Sequence, residues 1–167
     1  MDRDQLRALQ APLKDRYRDE PDAALVTLTA TATLGEDVSC SVQTARAIAV
    51  AGLHPASGGD GSLLCSGDML LEALAACAGV ALGAVATALG ISVRSGLVRA
   101  EGDLDFRGTL GVDREAPVGF SAIRLSFELD SDADSEQLSK LRALTERYCV
   151  VYQTLASAPT LTTTLAA

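Results

Sequence analysis

The sequence predicts an α+β fold with a largely antiparallel sheet, and three observations predict it. Two regions, from Leu25 to Val42 and from Val98 to Leu129, contain runs in which apolar and polar residues alternate with the period of two of half-buried strands. Between them, from about Ser66 to Leu89, lies a long apolar segment in which Glu72 is the one charge after Asp68; it is too long for a strand and reads as a helix. Strands and helices come in segregated runs rather than as repeated βαβ units, which favours antiparallel pairing. The chain has 167 residues, 48% of them apolar and 22% charged, enough for one domain with a core of its own. The expected organisation is an N-terminal helical arm over 1–20 and a single domain over 21–167.

Each element has its own signal. Leu6, Leu9, Leu13 and Tyr17 recur at helical spacing within Asp2–Asp19, so an amphipathic helix bent near Pro12 is expected there. From Leu25, Val26, Leu28, Ala30, Ala32 and Leu34 alternate with four threonines; after Gly35-Glu36-Asp37, Val38, Cys40 and Val42 resume the pattern, which signals a hairpin. A third strand is expected within Ala45–Ala51, followed by a Gly- and Pro-rich loop from Leu53 to Gly61 with no regular structure. Ser66 is a possible N-cap of the long helix, Asp68 suits its first turn, and Gly90 ends it. Two more strands are expected: Val98, Ala100, Gly102, Leu104 and Phe106 alternate with charged residues, as do Ile123, Leu125, Phe127 and Leu129 with polar ones. Asp134 or Ser135 caps a helix running to Tyr148, a second short helix follows over Cys149–Ser157, and Thr160–Leu165 reads as a last strand.

Composition narrows the function. A net charge of −8 argues against nucleic acid and anionic membrane surfaces, which need basic patches. The charged N-terminus lacks an apolar core of signal-peptide length, so a cytoplasmic location is expected. Cys40, Cys65, Cys77 and Cys149 are irregularly spaced, and in such a compartment they read as reduced thiols rather than a disulfide framework. His54 is the sole histidine, which leaves little room for a hydrolytic triad; with no CxxC or HxxxH pair, neither a metal nor a cofactor is expected. The Ser57–Gly61 run lacks the lysine of a phosphate loop.

The long apolar segment could by length cross a bilayer, but its Ala and Gly content, its lack of basic flanks and the amphipathic strands around it favour a helix buried on every side, with no membrane role. At about 100° per residue, Leu71, Ala75, Ala78, Leu82, Val85 and Leu89 share one face, and Leu70, Ala73, Cys77, Ala81, Ala84 and Ala88 another. The ridge Ala75, Gly79, Gly83, Thr87 permits close approach of another helix or a second copy. A cysteine on an alanine-lined stripe can simply pack as a small hydrophobe.

The run Ser66-Gly67-Asp68-Met69-Leu70-Leu71-Glu72-Ala73-Leu74-Ala75-Ala76-Cys77, followed by Thr145-Glu146-Arg147-Tyr148-Cys149-Val150-Val151, resembles the OsmC/Ohr family. The order of strands and helices from Leu25 onward is similar too. The resemblance implies an OsmC-like fold, mainly antiparallel sheets around long buried central helices, in an intertwined homodimer. It further implies thiol-dependent reduction of small organic hydroperoxides, with Cys77 as the peroxidatic nucleophile, Cys149 as the thiol that condenses with it, and a dithiol as reductant. The alternative is a non-catalytic dimer of the same fold that binds a small hydrophobic molecule in the cleft near Cys77.

The family's thiolate is stabilised by an arginine near the first hairpin, held by a glutamate about ten residues before the nucleophile. Here the hairpin carries Glu36 and Asp37, and Gly67 stands ten before Cys77. Arg46 is the replacement candidate for the arginine. Asp68 could stand in for the glutamate, although helical geometry points it away from Cys77. His54 and Cys65 are further possible supports, Cys65 because it precedes a helix N-terminus. Glu72, if buried, needs a partner such as Arg46 or Arg147. Cys40, on the apolar face of its strand, reads as core.

Overall fold

A computed structural model describes every residue except 1, 6, 9, 12–18, 20–30, 35–38, 44–47, 112 and 167; for the strands within 31–48 it describes backbone alone. Helical backbone runs through the described residues from 3 to 11 and is capped reciprocally, Gln5 N donating to Asp2 Oδ1 and Asp2 N to Gln5 Oε1. The bend expected at Pro12 and the arm boundary at residue 20 lie outside the described residues.

The element order is β1 (Thr31–Leu34), β2 (Ser39–Gln43), β3 (Ile48–Gly52), a 3-10 turn (Pro55–Ser57), β4 (Leu64–Cys65), α1 (Ser66–Leu89), β5 (Val93–Leu104), a helical turn (Phe106–Thr109), β6 (Phe120–Ser131), α2 (Ser135–Tyr148) and α3 (Val150–Ala156). Strands β1 to β4 form one sheet in that order, and β5 pairs with β6 in another. The chain divides into two compact units. One comprises Met1–Arg7, Ala73–Val98 and Phe127–Ala167, the other Ala8–Glu72 and Arg99–Ser126.

In the second unit the expected hairpin is present: β1 and β2 are antiparallel, with Thr31 opposite Gln43 and Leu34 opposite Cys40. β3 joins antiparallel to β2. The loop expected to lack regular structure, Leu53 to Gly61, carries the 3-10 turn, with His54 Nδ1 accepting the Ala56 N–H; β4, beyond it, is not among the expected strands and pairs parallel with β3. A two-residue strand has no alternation to read, so only its neighbour defines it. Phe106, expected to end a strand, instead starts a helical turn. Asp105 accepts the Arg107 N–H and so draws the backbone out of the sheet. Phe120 packs across Gly102, where an added Cβ would lie 2.6 Å from the ring; the two strands approach this closely because Gly102 has no side chain.

The first unit holds a core of Leu82, Val85 and Ala86 from α1 and Leu141 from α2, with Leu89, Ile91, Val93, Phe127, Leu129, Leu138 and Leu144 against it. The predicted α1 face supplies the buried residues Ala78, Leu82 and Val85. Gly90, at φ +70°, ends the helix in a conformation that other residues resist. β5 begins at Val93, five residues before the alternating pattern. A partner of equal length holds the extension: Arg94 bonds to Asp130 and Asp132, and Ser131 Oγ donates to Ser92 O. α2 starts where expected, with Asp134 as N-cap in a capping box with Gln137.

Two further expectations fail. α1 is not buried on every side: Val80 is 76% exposed, and Ala73, Ala76, Gly83 and Ala88 are exposed as well. The described helices and strands cover one side of it only. Thr160–Leu165 is not a strand. Its threonines favour extended backbone, but a strand exists by pairing, and no described strand pairs with it; Leu161 and Leu165 are almost fully exposed.

Candidate active site

The first unit brings two of the predicted site residues together. Cys77 sits mid-way along α1, half-buried on the alanine-lined stripe, so it is open to small molecules in a way that a core cysteine is not. Cys149 is fully buried. It is the single residue between α2 and α3, ending one helix and capping the next. The stripe Leu141, Thr145, Cys149, at spacing four along the end of α2, is buried throughout and draws the corner inward.

Every polar group of Cys149 is used. Its N–H donates to Thr145 O (2.9 Å), its carbonyl accepts from Gln153 N (3.0 Å), and its Sγ accepts from Tyr152 N (3.5 Å). Thr145, also buried, donates its hydroxyl to Leu141 O at 2.8 Å, so no orphan polar group is left beneath the corner.

This corner delivers hydrogen-bond donors to Cys77. Burial pushes the Cys77 thiol up, but the N–H of Val151, the Cys149 thiol and the N–H of Val150 act together on its sulfur and bring it below its ordinary value. Cys149 moves the opposite way: burial raises it and the neighbouring Cys77 raises it further, against the opposing pull of the Tyr152 N–H. Of the two sulfurs Cys77 is thus the more readily ionised, and the Cys149 thiol is one of the donors that act on it. That arrangement suits attack by the first and later condensation by the second.

None of the other predicted residues that are described takes part in this geometry. Arg46 lies outside the described residues, and so does the side chain of Cys40. Asp68 and Glu72 are exposed on the first turns of α1, so Glu72 needs no buried counter-ion. Cys65 ends β4 and His54 caps the 3-10 turn while stacking on Phe106 at 5.0 Å; both belong to the second unit. Arg147 is exposed, its guanidinium 5.7 Å from the ring centre of its neighbour Tyr148. Among the described residues, no group of three or more His, Cys, Asp or Glu is placed to hold a metal ion. The donors missed by sequence reasoning are the backbone N–H groups of Val150 and Val151. Their signal was the short helix expected from Cys149, since a helix start always leaves free N–H groups.

The sequence matches the OsmC-like protein family over residues 59–164, which includes both cysteines. The chain belongs to the OsmC-like family. Solved structures share the fold. An OsmC-like protein from Mycoplasma pneumoniae superposes with a TM-score of 0.67 at 21% identity, covering 80% of this chain and 89% of that one. An organic hydroperoxide resistance protein OsmC from Legionella pneumophila gives 0.63 at 19% identity, covering 80% and 92%. The organic hydroperoxide resistance protein OhrB of Bacillus subtilis gives 0.56 at 18%, covering 81% and 94%. No curated protein sequence matches the chain. Within this OsmC-like chain, α1 has the length and apolarity of a membrane span, and it lies wholly inside the residues that match the family.

Proposed function

We propose that this OsmC-like chain reduces organic hydroperoxides through Cys77 and Cys149. The observation that carries the proposal is the meeting of two thiols, Cys77 half-exposed in the middle of α1 and Cys149 buried at the corner between α2 and α3, each acting on the other's sulfur. Family membership and fold neighbours named as organic hydroperoxide resistance proteins support it.

The Cys77 thiolate attacks the terminal oxygen of ROOH. The O–O bond breaks, the alkoxide leaves and takes a proton to become ROH, and Cys77 is oxidised to a sulfenic acid. The sulfur of Cys149 then attacks that of Cys77, forming the disulfide and releasing water. An external dithiol returns both electrons and both protons and is itself oxidised. Among the described residues, stabilisation of the thiolate is supported by backbone donors and a neighbouring thiol.

The uncovered stripe on α1, with Val80 and small residues around it, supports a second copy of the chain as the partner in a homodimer. The test is to titrate the reduced protein with cumene hydroperoxide and map disulfides by mass spectrometry in wild type, Cys77→Ser and Cys149→Ser. A Cys77–Cys149 bridge forming well ahead of oxidation at Cys65 is the expected result. Slow, indiscriminate oxidation of all thiols would overturn the proposal and leave a ligand-binding dimer.

A further inference from the structure

We infer that Gln153 is a positioning residue for the thiol pair: its side-chain amide ties α3 to the end of α2 and so fixes how the first turn of α3 meets Cys77. The inference rests on the reading of Cys77 as the nucleophile. The two helices are joined by one residue, Cys149, at φ −77° and ψ 107°, a backbone conformation that belongs to neither helix. Most hydrogen bonds at the corner are internal to one helix end. The Cys149 N–H bond to Thr145 O closes α2, and the Gln153 N–H bond to Cys149 O opens α3, so rotation about the Cys149 ψ angle leaves both intact.

Two bonds resist that rotation. One is Tyr152 N to Cys149 Sγ at 3.5 Å, a bond to a weak sulfur acceptor. The other is Gln153 Nε2 to Glu146 O at 2.9 Å, which spans seven residues and satisfies one of the carbonyls left free at the end of α2. The sulfur bond depends on the redox state, because the same Sγ must turn toward Cys77 to form the disulfide. The Gln153 bond uses no redox atom, so a change of oxidation state at the sulfurs does not itself remove it. Its effect reaches Cys77 through Val150 and Val151, whose N–H groups bear on the Cys77 sulfur and move with α3.

Gln153 is exposed, so its replacement spares the core. Gln153→Met removes the donor with little change in length and none in charge; Gln153→Asn keeps the amide but is one methylene too short to reach. The measurement is the pH dependence of iodoacetamide alkylation, resolved cysteine by cysteine by mass spectrometry on the reduced full-length protein. In both variants the Cys77 profile shifts upward and alkylation below its midpoint slows about threefold, the effect of half a pH unit. The Cys65 profile stays in place, and Thr154→Ala, a neighbouring change that leaves the tie intact, behaves as wild type. Wild-type profiles for Cys77 in both Gln153 variants would overturn the positioning role alone. A wild-type Cys77 that titrates no lower than Cys65 would overturn the nucleophile reading and this inference with it.

Discussion

The settings of Cys77 and Cys149 differ in ways that suit them to different steps of the proposed reaction. Cys77 lies in the middle of a long regular helix, where its own backbone N–H and C=O are committed to the helix ladder and only the sulfur can act. Cys149 lies where the helix ladder stops, and its N–H, C=O and sulfur are all drawn into closing one helix and opening the next. A mid-helix position supplies rigidity and access but no stabilising charge. A helix junction supplies free N–H donors but buries its own sulfur. Each thiol has what the other lacks.

The largest expected effect comes from erasing one side of this pair. Cys77→Ser abolishes hydroperoxide consumption in a coupled dithiol assay. Cys149→Ser retains a single turnover, with the Cys77 sulfenic acid trapped by dimedone and detected by mass, and loses disulfide formation. Equal loss of the first oxidation in both variants would break the division of roles.

Next is the packing beneath the junction. Leu141 is 1% exposed, one helical turn and a further turn before Cys149, so Leu141→Ala is expected to cost about 2–5 kcal/mol in denaturant unfolding. The same variant slows disulfide closure more than Cys77 alkylation, because the void lies under the Cys149 side.

The pH dependence sharpens the contrast. Cys77 is held below the ordinary thiol value, so its alkylation persists as pH falls beneath that value and is lost only on passing its own lower pKa. Its contribution to folding stability is present above the ordinary thiol pKa and fades as pH falls through the folded value. Cys149 is raised, so folding opposes its ionisation and the resulting cost appears only as pH rises beyond the ordinary value. Cysteine-resolved alkylation profiles should therefore separate the two, with Cys77 at lower pH. The smallest effect is expected at the far end of α2: Asp134→Ala removes the capping box and costs about 1 kcal/mol of stability, while leaving the Cys77 profile where it was.

Much of this architecture was legible along the chain. The hairpin pairing of β1 with β2, the extent of α1, its buried face, the alternation in β5 and β6 and the start of α2 all follow from local periodicity and capping chemistry. The misses were elements that pairing alone defines. β4 is too short to show a pattern, β5 is extended by the matching length of β6, and Thr160–Leu165 has strand-like composition without a neighbouring strand. At the site, the identity of the two thiols could be read from the motifs around them, whereas the donors acting on Cys77 include main-chain groups that leave no mark in residue type.

The sequence by itself determined which residues could form each helix and strand, which α1 face enters the core, and which two sulfurs are candidates for chemistry. These are properties of period, propensity and residue type, all local. Only the tertiary structure decided that α3 begins where Cys77 can use its N–H groups, that Cys149 is the buried member of the pair, and that one side of α1 is left uncovered. Those depend on how distant segments meet, and the electrostatics of a sulfur are set by whatever stands beside it in space.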